Sequence, residues 1–253
     1  MTSSTKNPAG ATRAKPPKRK PASVKRGAKR GGNRWVFPTV LIGIVVLGIV
    51  AVALVATGDD DGKAPGGKDA VTEVASEVSI SGKSLPRYTG SGNDPAVGTA
   101  APGIESVDFQ DEPASAGGAT GRPYALVFLA HWCPHCQAEV PRLVAVGQGG
   151  KIEGVEVTAV ATGTSPDQPN YPPSEWLARE DWPYGVVLDD EQGTAGNAFG
   201  LSAYPFLVFV DADGNVAGRT SGEISEEDLT AIFSALAKGD PLPIPGAGAG
   251  TQR

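Results

Sequence analysis

The chain contains two cysteines and two histidines, and all four lie in AHWCPHC, residues 130–136. Cys133 and Cys136 are two residues apart, close enough to form a small disulfide if the first stands where a helix begins. The unpaired N–H groups and positive dipole end at such a position favour a thiolate at Cys133. A thiolate attacks a disulfide, whereas a thiol does not. His135, between the cysteines, would add to that stabilisation, favour the dithiol state and make the disulfide a stronger oxidant. Pro134 suits the first helical turn, where its missing N–H costs nothing. Cys136, one turn in, is then the buried, resolving thiol. Two other chemistries use the same residues. A cysteine pair in an exported protein can be a static disulfide. His131, Cys133, His135 and Cys136 can hold a metal if all four converge, but a strand ending near His131 and a helix starting at Cys133 would make them diverge.

The elements that would position this motif read as alternating strands and helices. YALVFLAH (124–131) is a strand leading into the motif, followed by a helix from Cys133 to about Val146 and a strand at GVEVTAVAT (154–162). A proline-rich stretch, SPDQPNYPPSEW, leads to a helix over 174–180, a strand over 184–189 and a short helix over 191–199. FLVFV (206–210) and NVAGRTS (215–221) are joined by DADG, an Asp-Gly hairpin signal. Ser225 and Asp228 bracket a helix start resembling a capping box, and that helix runs to Lys238. The pattern predicts an α/β domain with a central mixed sheet flanked by helices. Residues 94–238 suffice for one core. A short strand ending near Phe109 opens the domain.

Upstream, charge and hydropathy divide the chain. Residues 1–34 carry eleven of the twenty-two basic residues and none of the twenty-eight acidic ones, within a net charge of −6. Residues 35–57, WVFPTVLIGIVVLGIVAVALVAT, carry no charge. As a helix they would span about 34 Å against a hydrocarbon core of about 30 Å. A cleaved signal peptide has a shorter apolar region and a shorter basic lead. The basic tail before the span and GDDDG after it place the N-terminus in the cytoplasm and the domain outside it. The expected organisation is a basic disordered cytoplasmic tail (1–34), a single transmembrane anchor (35–57), a flexible linker (58–93), the α/β domain (94–238) and a disordered Pro/Gly tail (239–253). The tail has no aromatic residue to stack on bases, so nucleic acid is not the expected partner.

FLAHWCPHCQAEVPRL and FGLSAYPFLVFVDADGNV together resemble the thioredoxin superfamily. The first matches its strand, Trp-Cys-x-x-Cys and helix, with Pro141 five residues past the second cysteine. The second matches the segment in which a proline, here Pro205, precedes the antiparallel hairpin. In the family that proline is cis and faces the cysteine pair. The opening phrase VGTAAPGIESVDF, and Glu139 three residues after Cys136, are most similar to the membrane-anchored, exported TlpA/ResA-like group. The resemblance implies a thioredoxin-like fold and protein thiol-disulfide exchange needing no small cofactor. It also implies that Glu139 assists proton transfer at the buried thiol. Trp132 would flank the exposed sulfur, and Tyr204, just before Pro205, would offer backbone groups to an extended substrate strand. Cytosolic thioredoxins have a buried Asp where this chain has Val127, so that proton relay is absent.

The expected partners are thiols and disulfides of other exported proteins, together with a membrane or soluble redox partner. The overall likeness is to reductases, while the Pro-His dipeptide is that of DsbA-like oxidants. A metal or apocytochrome chaperone using the same cysteines is the non-enzymatic alternative. A peroxidase is the other enzymatic one, but its usual Pro-x-x-x-Thr-x-x-Cys context does not occur.

Overall fold

The computed structural model of the protein describes residues 71–90 and 93–245. The apolar stretch 35–57 assigned to an anchor, the basic tail and residues 246–253 lie outside them. Among the described residues no helix is long and apolar enough to cross a membrane.

Among the described residues, eight strands and four helices follow in the order β1 (Ser79–Ser81), β2 (Gly103–Val107), β3 (Pro113–Gly117), β4 (Tyr124–Leu129), α1 (Pro134–Gln148), β5 (Glu156–Ala161), α2 (Pro173–Arg179), β6 (Gly185–Leu188), α3 (Thr194–Phe199), β7 (Phe206–Val210), β8 (Val216–Ser221) and α4 (Glu226–Lys238). The central sheet has the order β6-β5-β4-β7-β8. β4, β5 and β6 run parallel, while β7 is antiparallel to β4 and β8 to β7. Every residue of β4 and β7 is buried, which explains their unbroken apolar runs: both faces of a central strand are covered. Helices α1 and α4 pack together, and α3 lies against β1. Ser225 caps α4, its hydroxyl oxygen accepting from the Asp228 N–H at 3.1 Å.

One register fixes the position of the chemistry. Phe128 of β4 pairs with Phe206 of β7. The residues that leave β4 toward Cys133 therefore emerge beside the residue that enters β7, Pro205. An N-terminal antiparallel sheet, β1-β2-β3, is tied on by single bridges from Ala75 to Asp190 and from Ala100 to Asn215.

Two boundaries differ from the sequence reading. Residues 71–90, assigned by composition to the linker, pack on the domain: Ala75 N–H donates to Asp189 O at 3.1 Å and Leu85 N–H to Ala198 O at 2.8 Å. Their buried residues, Ala75, Val78 and Leu85, are too few and too widely spaced to mark an element. Arg219 completes the attachment. Its buried guanidinium donates to both oxygens of Asp94 at 2.8 and 2.5 Å, to Pro86 O at 2.9 Å and to Phe199 O at 2.8 Å. At the other end, Leu242 and Ile244, in the segment assigned to the tail, pack against the core. A glycine at 218 leaves room for them, since a Cβ there would stand 3.2–3.3 Å from both side chains.

Candidate active site

Cys133 is the N-cap of α1, in extended conformation, with Pro134 opening the helix. Cys136 follows one turn in. Both are free thiols; Cys133 is 6% exposed and Cys136 fully buried. The order of access is the one expected of an attacking and a resolving sulfur. Burial pushes the Cys136 thiol far above its ordinary range, and the nearby Cys133 sulfur and Glu139 carboxyl add to this. The Ala130 N–H directed at the Cys136 sulfur works in the opposite direction. Cys136 is thus held as a thiol until a base accepts its proton.

The candidate substrate-contacting residues come together around Cys133. The Tyr204–Pro205 peptide bond is cis, and the Tyr204 carbonyl lies 3.9 Å from Cys133 Sγ. Trp132 meets the Tyr204 ring edge-on, with centroids 5.8 Å apart, and donates its indole N–H to Gly163 O at 2.8 Å. Gly163 has a positive φ of 61°, and a Cβ on it would stand 2.8 Å from the Tyr204 hydroxyl. Glycine therefore lets the turn after β5 close against Trp132. Trp132, Gly163, Ser165 and Gln168 line an open groove beside the motif.

The histidines part company. His131 is 1% exposed. Its Nδ1 donates to Pro169 O at 2.7 Å and its Nε2 accepts from the Ser165 N–H at 3.2 Å. It clamps the proline-rich stretch over the site, a role that was not legible in sequence. His135 is exposed, and its Nδ1 donates to Glu223 Oε1 at 2.7 Å instead of meeting a sulfur. The two rings thus face opposite partners, as the divergence of strand end and helix start requires, and do not share a centre with the cysteines. Among the described residues no cluster of His, Cys, Asp and Glu has the arrangement of a metal site.

Glu139 is buried, not an exposed helix residue. Its Oε2 accepts from the Ile224 N–H at 3.0 Å and from Arg142 Nη1 at 3.2 Å, while its Oε1 has no partner. Burial is the largest influence on this carboxyl and raises its proton affinity; Ile224 and Arg142 offset part of the rise, and the charge of Glu223 adds to it. Arg142 and Glu223 are residues that sequence reasoning did not single out. Arg142 sits three residues past Glu139, a spacing that was available; Glu223 comes from the loop between β8 and α4, and only the fold brings it near. Trp176 is buried and Trp182 partly so, both as packing residues.

A cysteine pair at the start of a helix, beside a cis-proline at the same end of a mixed sheet, defines the class: a thioredoxin-like thiol-disulfide oxidoreductase. Residues 97–219 match the AhpC/TSA family. The thiol:disulfide interchange protein HelX of Rhodobacter capsulatus is 29% identical over 155 residues, covering 58% of this chain and 84% of that protein. The thiol-disulfide oxidoreductase ResA of Geobacillus kaustophilus is 26% identical over 134 residues, covering 53% and 74%. A hypothetical protein of Sinorhizobium meliloti has the same fold, with a TM-score of 0.50 at 15% identity over 61% of this chain and 91% of that one. The family match takes in just under half of the chain, from before β2 into β8, and both HelX and ResA are named for thiol-disulfide exchange.

Proposed function

We propose that the protein is a membrane-anchored, extracytoplasmic enzyme that reduces disulfides in other exported proteins through its Cys-Pro-His-Cys motif. The observation that carries the reading is the placement of the Cys133 sulfur at a helix start beside the Tyr204 carbonyl, with the fully buried Cys136 one turn behind. Cys133, as thiolate, attacks one sulfur of a substrate disulfide; that bond breaks and the other substrate sulfur leaves as a thiolate. Cys136 passes its proton to Glu139 and attacks Cys133 Sγ, so the enzyme disulfide forms and the second substrate sulfur leaves. Two electrons have moved to the substrate, and the two thiolates take up two protons. A dithiol partner, membrane-bound or soluble, reduces the enzyme again.

Trp132, Tyr204 and Pro205 make the platform for the substrate segment, whose backbone can pair with the Tyr204 carbonyl. His135 is committed to Glu223, whose carboxylate offsets the electrostatic help the ring would lend to Cys133. That supports reduction over a DsbA-like oxidase. The engagement of both histidines elsewhere speaks against a metal chaperone. The anchor and the extracytoplasmic location rest on the basic residues before 35–57, the uncharged apolar run and the acidic residues after it.

The test is a trap. Full-length protein carrying Cys136→Ala, mixed with an oxidised exported protein, should accumulate an adduct on Cys133 that a reductant releases; Cys133→Ala should form none. Absence of the adduct, or copurification of stoichiometric copper or zinc with the dithiol protein, overturns the proposal. Externally added protease should digest the domain on intact cells; a protected domain would refute the topology.

A further inference from the structure

Four charged or titratable side chains form an unbroken chain from the protein surface to the buried carboxyl. His135 Nδ1 donates to Glu223 Oε1 at 2.7 Å. Arg142 Nη1 donates to Glu223 Oε2 at 2.7 Å, and the same nitrogen donates to Glu139 Oε2 at 3.2 Å. Beyond Arg142 stands Glu139 with one oxygen unpartnered and no exposure. The shared nitrogen is the informative feature. One guanidinium group serves two carboxylates, and the shorter bond goes to the outer one. The outer carboxylate therefore competes with Glu139 for Arg142, the only cation bonded to Glu139 among the described residues. Two effects of Glu223 have the same sign at Glu139: its negative charge opposes a second one nearby, and it draws positive charge away.

We propose that Glu223, by sharing Arg142 with Glu139, sets how firmly the buried carboxyl holds its proton, so that Arg142 and Glu223 are positioning residues for the proton that Cys136 gives up. The proposal rests on the role given to Glu139 above. The groups facing Glu139 are Cys136 and Arg142 on its own helix, and Glu223 and the Ile224 N–H from the loop before α4. His135 acts one step further out, on the second oxygen of Glu223. Neither Arg142 nor Glu223 touches a reacting sulfur. Arg142 is one-third exposed and Glu223 similarly so, which makes both open to substitution without disturbing the core.

The arrangement requires shifts of opposite sign. Arg142→Met removes the cation and should raise the proton affinity of Glu139 by about tenfold, the usual effect of a close opposite charge. Glu223→Gln returns the guanidinium to Glu139 and removes a like charge; it should lower the affinity by about threefold. Arg142→Lys should restore part of the loss. Glu139 is followed directly by carbon-13 NMR of full-length protein labelled on glutamate side-chain carboxyls, its signal identified by its disappearance in Glu139→Gln. The opposed movement supports the proposal. Movement in the same direction, or no movement in either variant, overturns it; both results are read on the carboxyl itself and do not require Glu139 to matter for exchange. The proton-transfer role is judged separately, from the pH profile of disulfide formation within the mixed disulfide. That profile should lose a limb in Glu139→Gln and show the same opposed shifts in the other two variants.

Discussion

Replacing Glu139 with Gln should make the protein more stable at neutral pH, by an amount that grows as pH rises. A protonated carboxyl and an amide are nearly the same shape, and both can offer an oxygen to the Ile224 N–H, which now donates at 3.0 Å. At a pH below about 4.5, the ordinary value for this group, parent and variant should therefore be equally stable. The folded protein raises the proton affinity of Glu139, chiefly by burial, so the sign is set: the carboxyl's contribution is greatest below the unfolded value and is lost as pH rises through the folded one. The amide cannot ionise and is spared that loss. Between the two values the difference should grow by up to about 1.4 kcal/mol per pH unit, the limit for one proton, and then level off. Urea unfolding of the reduced parent and variant from pH 4 to pH 8 measures it. A difference that stays flat, or a variant less stable at pH 8, would show that Arg142 and Ile224 compensate the buried carboxylate fully.

Arg219→Met should cost about 3–5 kcal/mol, because it strands the largely buried Asp94 carboxylate and two carbonyls that the guanidinium now satisfies. Burial raises the Asp94 carboxyl, but the hydrogen bonds from Arg219 and the Ala96 N–H bring it below its ordinary 3.8. Its contribution is therefore present above that value and fades as pH falls through the lower folded one; an unfolding titration showing a loss under 1 kcal/mol at pH 7 would contradict the bookkeeping. His131→Ala should cost about 1–3 kcal/mol and speed hydrogen exchange at Ser165, since the Ser165 N–H and Pro169 carbonyl lose their partner. Unchanged exchange there would mean that the proline-rich stretch holds itself in place.

Much of the domain was legible in the sequence for physical reasons. The buried runs of β4 and β7, the Asp-Gly hairpin and the Ser225 cap are local signals, and the structure has each of them within a residue or two. β3 was not legible, because PASAG lacks the β-branched alternation that marks a strand. It forms through pairing with β2. At the site, the cysteine pair and its helix start were legible because everything needed lies within six residues. Glu223 lies 88 positions from His135, and Asp94 lies 125 from Arg219. No window of sequence contains such a pair. His131 was weighed as a metal ligand, yet the backbone groups it binds are 34 and 38 residues away.

Partial alkylation of the fully reduced protein tests the division of labour between the two sulfurs most directly. With limiting iodoacetamide at neutral pH, and the label located by fragmentation mass spectrometry, Cys133 should carry nearly all of it while Cys136 stays protected under the first turn of α1. Equal labelling, or Cys136 reacting first, would contradict the assignment of Cys133 as the attacking sulfur and Cys136 as the one that resolves.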